Sequence, residues 1–146
     1  MGYMAKAMQR FGHEVLEVAI GYAAGPAGSG VAYAALSGVE GREVVRLAFR
    51  IARRGALLER AVPYAALVTV ARSLCKRGVM RAHFVMPDHR FVEEVTTRCD
   101  VPEALVLPYV CLRCALNAFH EVEIGTGATD ELMQRAGAEV ALNVAA

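Results

Sequence analysis

The chain has 146 residues, of which 55% are hydrophobic, and its formal net charge at pH 7 is +1. This length supports one hydrophobic core and is too short for two ordinary domains, so we predict a single domain over residues 1–146. Charged residues such as Glu14, Glu17 and Arg42 interrupt every apolar run before it reaches the roughly 18 residues that cross a bilayer. These properties argue against a membrane-spanning helix, and we expect a soluble, cytoplasmic protein.

The first third of the chain carries strand patterns. Residues 15–22 are rich in apolar side chains and predict a first strand, and residues 31–36 predict a second. Between them, residues 25–30 read Gly-Pro-Ala-Gly-Ser-Gly, which predicts a loop. The loop lacks the Lys followed by Ser or Thr with which a phosphate-binding loop reaches its ligand, so we interpret it as a flexible connection.

From Glu40 onwards the pattern changes to helical spacing. Apolar residues share one predicted helix face, namely Val44, Leu47, Ala48 and Ile51. Arginines share another, namely Arg42, Arg46, Arg50 and Arg53. We therefore predict a helical segment over residues 40–78, in which Gly55 ends the first helix and a second helix runs from Tyr64 to Lys76.

The second half of the chain alternates between strand and helix patterns. We predict strands over residues 79–86, 104–110, 122–124 and 138–144. Asp88 has the side chain of a helix N-cap, residues 111–119 predict a short helix or turn, and a further helix is predicted from Thr129 to Gly137. This alternation indicates an α/β protein, a three-layer sandwich with a mainly parallel sheet.

Three segments near the end of the chain carry a resemblance to a known family. Cys-Leu-Arg-Cys at residues 111–114, Val-Glu-Ile-Gly-Thr at residues 122–126 and Ala-Glu-Val-Ala-Leu-Asn-Val at residues 138–144 resemble the C-terminal part of the DsrE/DsrF-like family of small sulfur-relay proteins. The resemblance implies that Cys111 ends a central strand and carries sulfur as a persulfide, that Cys114 is an auxiliary thiol, and that subunits form homo-oligomers.

The predicted chemistry of Cys111 and Cys114 depends on an ionised thiol. A thiolate is favoured by a helix N-terminus or a nearby cation, and Arg113 adjoins both cysteines. Under this hypothesis Cys111 and Cys114 are the catalytic residues, sulfur donor and acceptor proteins are the partners, and no cofactor is needed because the thiolate itself attacks and leaves.

Two other classes of function stay open. The cysteines can simply pack inside a non-catalytic, oligomeric assembly protein, because free cysteines are often buried. They can also belong to a small zinc-binding module, for which Cys99, Cys111, Cys114 and His120 are the candidate ligands.

The two halves of the chain have opposite charge. Residues 42–81 hold ten Arg or Lys against two Glu, whereas residues 88–139 hold ten acids against four Arg. This asymmetry is compatible with an anionic partner, and equally with one subunit docking its basic side on the acidic side of another. We do not expect nucleic acid as a partner, since aromatic residues for base stacking do not alternate with the arginines. The excess of Arg over Lys and the scarcity of Asn and Gln are typical of a thermophile.

Overall fold

The protein is an α/β sandwich built on one sheet. The computed structural model describes residues 14–51, 58–97 and 101–145. Within them the strands are β1 (Leu16–Ala24), β2 (Ser29–Gly38), β3 (Gly41–Arg50), β4 (Arg81–Met86) and β5 (Glu121–Thr126). The α-helices are α1 (Leu58–Lys76), α2 (His89–Thr96), α3 (Val106–Leu116) and α4 (Asp130–Ala145), and a 3₁₀ turn at Glu103–Leu105 precedes α3.

The sheet is mixed, with strand order β3-β2-β1-β4-β5. β1 pairs antiparallel with β2 and β2 antiparallel with β3, whereas β1 pairs parallel with β4 and β4 parallel with β5. The predicted α/β class is confirmed. The predicted mainly parallel sheet is wrong, because the first three strands follow one another as hairpins and hairpin strands are antiparallel.

Helices cover both faces of this sheet. One face of β1 and β2 packs with α1 and α3 in the main core, to which Val18, Ile20 and Leu67 belong. Alternate residues of the same strands face α4, where Tyr33 and Ala35 pack against Leu132 and Ala136. This is the alternation expected of strands that are buried on both sides.

The helix predicted from Glu40 is wrong over residues 41–50, which form β3. The core-facing residues of β3 alternate as Val45, Leu47 and Phe49, which is a period of two. The arginine spacing did not reveal this, because residues four apart share a face of a strand and also lie near one another on a helix. Arg53 lies outside the described residues. The predicted helix over residues 64–76 is confirmed, and it begins earlier, at Leu58.

Two strands predicted near the end of the chain are helical. The apolar run at residues 104–110 forms the 3₁₀ turn and the start of α3, since a short apolar run does not distinguish a strand from a helix. Residues 138–144 continue α4, because Leu132, Ala136 and Val140 recur at helical spacing on the buried side. Gly137 lies inside this helix and does not end it.

The other strand predictions are confirmed in position. β2 and β5 contain their predicted segments, whereas β1 and β4 overlap theirs and begin one and two residues later. Asp88 is the N-cap of α2. None of the helices in the described part of the chain combines the length and hydropathy that a membrane span requires. That all 146 residues form one domain stays a prediction.

α4 is fastened across the strands by a polar cluster. The helix α4 crosses the sheet over a row of three residues that are neighbours in the strand register, namely Gly21, Tyr33 and Arg46. Glu139 of α4 accepts a hydrogen bond from the Tyr33 hydroxyl at 2.5 Å. It also accepts two hydrogen bonds from the Arg46 guanidinium, at 2.7 and 2.6 Å. The cluster therefore joins β2, β3 and α4.

Gly21 allows β1 and α4 to approach closely, which leads to a stability prediction. A Cβ at this position would overlap the backbone of Leu132 and Met133. We expect Gly21→Ala to lower the free energy of unfolding by about 1–3 kcal/mol, the usual cost of overpacking. The matched control is Gly137→Ala, where a Cβ meets no atom within 4 Å, and it should raise stability by up to about 1 kcal/mol. Urea denaturation measures both, and equal effects of the two substitutions contradict the close approach.

The pKa of Glu139 generates a second prediction. The hydrogen bonds from Arg46 and then from Tyr33 lower this pKa from 4.5 to about 2. The folded state therefore binds fewer protons than the unfolded state, so the carboxylate's contribution to stability is present above pH 4.5 and is lost as the pH falls towards about 2. We expect Glu139→Gln to be less stable than the unmodified protein at neutral pH, with a difference that shrinks through this window. A difference that does not depend on pH contradicts the assignment.

Candidate functional site

One end of the sheet, here called the carboxyl edge, collects the ends of β1, β4 and β5. These parallel strands finish there at Ala24, Met86 and Thr126. α2 follows β4 and α4 follows β5, so both helices begin at this edge, and α1 also begins there because a short connection leads from its other end into β4. Ligands of open α/β sheets bind outside the carboxyl ends of the strands, and helix N-termini favour anions.

Tyr22 and Asp88 both lie at the carboxyl edge, and the charge of Asp88 acts on the Tyr22 phenol. Tyr22 belongs to β1 and is 8% exposed, and its backbone N–H donates to the Met133 sulfur at 3.2 Å. Asp88 accepts a hydrogen bond at 3.0 Å from the N–H of Phe91 in the first turn of α2. Burial and then the negative charge of Asp88 raise the pKa of Tyr22 above its ordinary value. The phenol therefore stays protonated at neutral pH.

A buried ion pair holds α1 against α2 near this edge. Glu94 of α2 is 7% exposed, and it accepts hydrogen bonds from Arg60 and from the Tyr64 hydroxyl. The Tyr64 and Phe91 rings meet edge to face with centroids 4.8 Å apart. Burial and the hydrogen bond to Glu94 raise the pKa of Tyr64. Since all these groups satisfy one another, the network positions the helix N-termini.

The start of α4 adds polar groups to the edge. Asp130 and Glu131 are exposed in the first turn of the helix, where negative charge is favoured by the helix dipole. Thr129, which precedes them, is 4% exposed, and its hydroxyl has no hydrogen-bond partner among the described residues. The edge therefore offers the carboxylate of Asp88, the cap of α2, and those of Asp130 and Glu131 on α4. α1, which also begins at this edge, carries the exposed Glu59 in its first turn.

The cysteines singled out by the sequence lie elsewhere. Cys111 is half-buried and Cys114 exposed, and both belong to α3. The predicted position of Cys111 at a strand end is therefore wrong. Arg113 donates to the backbone carbonyl of Val95 and to the Tyr109 hydroxyl, so its guanidinium is engaged away from the thiols. No finding tests a catalytic role for Cys111 or Cys114, which stays a prediction.

The zinc alternative receives no support from the described residues. No group of three or more His, Cys, Asp or Glu among them is arranged to hold a metal ion. Cys99, one of the four candidate ligands, lies outside the described residues. Of the others, Cys114 and His120 are exposed.

Comparison with solved structures identifies the fold. RNase H1 from the halophilic archaeon Halobacterium salinarum NRC-1 superposes with a TM-score of 0.69 at 16% identity, over 88% of this chain and 98% of that chain. The N-terminal RNase H domain of Rv2228c from Mycobacterium tuberculosis was solved as a fusion with maltose-binding protein. It superposes with a TM-score of 0.64 at 18% identity, over 88% of this chain and 99% of that chain. LC11-RNase H1 in complex with an RNA/DNA hybrid superposes with a TM-score of 0.67 at 10% identity, over 90% of this chain and 99% of that chain.

These likenesses show that the chain has the RNase H fold. No protein-family model and no curated protein matches the sequence. The predicted DsrE/DsrF-like membership is wrong, and so is the sulfur-relay function, because the structures that resemble the chain are RNase H1 folds. The predicted partners are corrected on the same ground. One of these similar structures holds an RNA/DNA hybrid, which contradicts the exclusion of nucleic acid and gives no support to sulfur-carrier proteins.

Phosphodiester hydrolysis by nucleases commonly uses two divalent cations about 4 Å apart, held by carboxylates and by the substrate's phosphates. The described residues do not fit such a centre, since they contain no cluster of three metal-binding side chains. The inward-facing side chains near the ends of β1 and β4 include Ile20, Tyr22 and Met86, and α1 adds the buried Pro63. None of these inward-facing groups is a carboxylate.

The sequence contained signals for the carboxyl edge, although none identified it as a site. Asp88 was predicted as an N-cap and Thr129 as a helix start, which places both just after strands. Their meeting at one edge depends on the parallel pairing of β4 with β5, and local sequence patterns do not specify strand pairing.

The exposure of the cysteines gives a prediction that a thiol reagent can check. In a Cys99→Ser background, we expect Cys114 to react first, because it is the exposed thiol, and Cys111 to follow. Cys75 should react slowly, since burial raises its pKa and reduces the reactive thiolate. Cys114→Ser should remove the fastest phase of labelling. If Cys111→Ser removes it instead, the placement of the two thiols on α3 is wrong.

Proposed function

We propose that this protein binds nucleic acid of the RNA/DNA hybrid class at its carboxyl edge and does not hydrolyse it through a two-metal centre. One observation carries the binding proposal: LC11-RNase H1 holds an RNA/DNA hybrid on a fold that matches 90% of this chain. The donor set at the edge supports the second part, because no carboxylate cluster is present among the described residues.

Two features of the edge, its helix starts and its exposed Arg90, suit an anionic backbone and act against the carboxylates of Asp88, Asp130 and Glu131 at the same edge. Three helices begin there, and each directs the positive end of its dipole outwards. Arg90 and His89, in the first turn of α2, are both exposed. Arg90 makes no ion pair with a described residue, so its charge is available to a phosphate. Contacts of this kind set affinity and orientation without reading sequence.

The proposed absence of a two-metal centre rests on the donor groups of the edge. Asp88 is engaged as the cap of α2, and Tyr22, whose pKa is raised by burial and by the charge of Asp88, holds its proton. An un-ionised phenol is a hydrogen-bond donor and does not neutralise a cation. Tyr22 therefore adds no negative charge to the carboxylates of the edge, which form no cluster of three among the described residues.

Hydrolysis is the competing function, and two observations favour it. The similar structures are ribonucleases H, and Asp88 and Asp130 both stand at the carboxyl edge. A site that used these two aspartates would need its remaining ligands from the substrate's phosphates. The two functions differ in their products, so one assay separates them.

Binding is predicted for the full chain with a fluorescein-labelled RNA/DNA hybrid, measured by fluorescence anisotropy at several salt concentrations. Arg90→Ala should lower the affinity about two- to fivefold, the effect of one exposed charge pair. It should also reduce the slope of log affinity against log salt concentration by about one, because one counterion fewer is released. The control is Arg72→Ala, an exposed arginine of α1 near the opposite edge. Equal effects of the two variants, or no binding of the hybrid, contradict the proposal.

The same labelled hybrid, incubated with magnesium or manganese and separated by gel electrophoresis, tests hydrolysis. We expect an intact RNA strand under conditions in which the hybrid is bound. Cleavage that is lost in Asp88→Asn, which keeps a cap side chain on α2, would establish the competing function. Cleavage that persists in this variant arises elsewhere and also contradicts the account of the edge.

A cytoplasmic location and a homo-oligomeric state were expected from the sequence. Both stay predictions. Neither is needed for the binding proposed here.

A further inference from the structure

A groove of about 800 Å³ lies on the α4 side of the sheet, and we call it the α4 groove. It occupies the space between α4, which crosses the strands at the row of Tyr33 and Arg46, and the loop that joins β1 to β2. Ser29, Val31, Ala48 and Arg50 line it from β2 and β3, Pro26 and Ala27 from the loop, and Glu139, Val140 and Asn143 from α4. Its volume is within the range of small-molecule sites.

The floor of the groove is apolar because small side chains meet there. Val31 and Ala48 are neighbours in the strand register and face α4, and Val140 of α4 packs against the same cluster. Val31 itself is buried, so the surface open to a flat ring is that of Ala48 and Val140, where no charged group has to be displaced. The floor therefore favours an apolar, planar body.

The two ends of the groove differ in charge. At one end Arg46 is neutralised by the two hydrogen bonds that it donates to Glu139. At the other end Arg50 is exposed and forms no ion pair with a described residue, while Asn143 lines the opposite wall. The groove thus joins an apolar floor to one free cation and one neutral amide.

The loop wall is held in place by backbone hydrogen bonds. The N–H of Gly25 donates to the Ser29 carbonyl at 2.9 Å, and the N–H of Ile51 donates to the Gly28 carbonyl at 2.8 Å. Gly28 has a φ of +90°, and a Cβ there would meet the Ile51 carbonyl oxygen at 2.6 Å. The Gly-rich segment of the sequence is thus a formed wall, which reduces the ordering cost of binding.

We propose that the α4 groove binds a small organic anion with a planar ring, the ring lying on Ala48 and Val140 and the anionic group pairing with Arg50. Nucleoside monophosphates and aromatic sulfonates or carboxylates share this chemistry. The site differs from the proposed binding of a hybrid because it lies on the α4 face of the sheet and needs no duplex, although its loop wall follows the end of β1 and therefore borders the carboxyl edge.

The test is ligand-observed saturation-transfer NMR on the full chain, with AMP and naphthalene sulfonate as probes and neutral adenosine and naphthalene as their controls. Binding of both anions assigns the site to planar anions in general, and binding of AMP alone assigns it to nucleotides. If neither anion binds, or if the neutral controls bind as well as the anions, the proposal is overturned.

Two variants locate the binding. Arg50→Gln should lower the affinity for the anion about fivefold or more. Ala48→Leu, whose larger side chain fills the floor of the groove, should abolish binding. Arg42→Gln is the matched control, an exposed arginine on the same face of β3 beyond the row that α4 crosses, and it should change nothing. Binding that survives both Arg50→Gln and Ala48→Leu, or that is lost equally in Arg42→Gln, overturns the assignment.

Discussion

The pairing of β1 with an antiparallel neighbour on one side and a parallel neighbour on the other determines where every polar group of this fold lies. Antiparallel pairing with β2 places β3 and its arginines at one edge of the sheet. Parallel pairing with β4, continued by β5, brings three strand ends and three helix starts to a common edge. The candidate site and the α4 groove are consequences of these two pairings, and Gly21 allows α4 to pass close over β1.

Much of the local structure could be read from the sequence, because local structure depends on nearby residues. The strands at both ends of the first hairpin, the second half of α1 and the capping role of Asp88 follow from apolar periodicity and side-chain chemistry. β3 was missed because Arg42, Arg46 and Arg50 fit a strand face as well as a helix face, although Val45, Leu47 and Phe49 carried the period of a strand. The extension of α4 past Gly137 was missed although Leu132, Ala136 and Val140 recur at helical spacing, because the strand residues against which this row packs are distant in sequence.

The candidate site was harder to predict than the fold. Sequence reasoning favoured Cys111 because a thiol after a buried strand can be reactive, and this argument failed with the strand itself: residues 106–116 are a helix, and its exposed residues include Cys114. The groups that do meet, Tyr22 and Asp88, are 66 residues apart. Neither residue stands out from its neighbours in the sequence as a candidate functional residue. Their combined effect, a protonated phenol beside a capping carboxylate, exists only after β1 and β4 have paired.

The central claim is that nucleic acid meets this fold at the carboxyl edge. The most direct measurement is a titration of the isotopically labelled full chain with an unlabelled RNA/DNA hybrid, followed by amide NMR spectra. The account predicts that chemical shifts change around Tyr22, Asp88 to Arg90 and Asp130, while the amides near Arg72 and along α3 stay in place. Changes centred on α3, or spectra that do not respond to the hybrid at all, would contradict it.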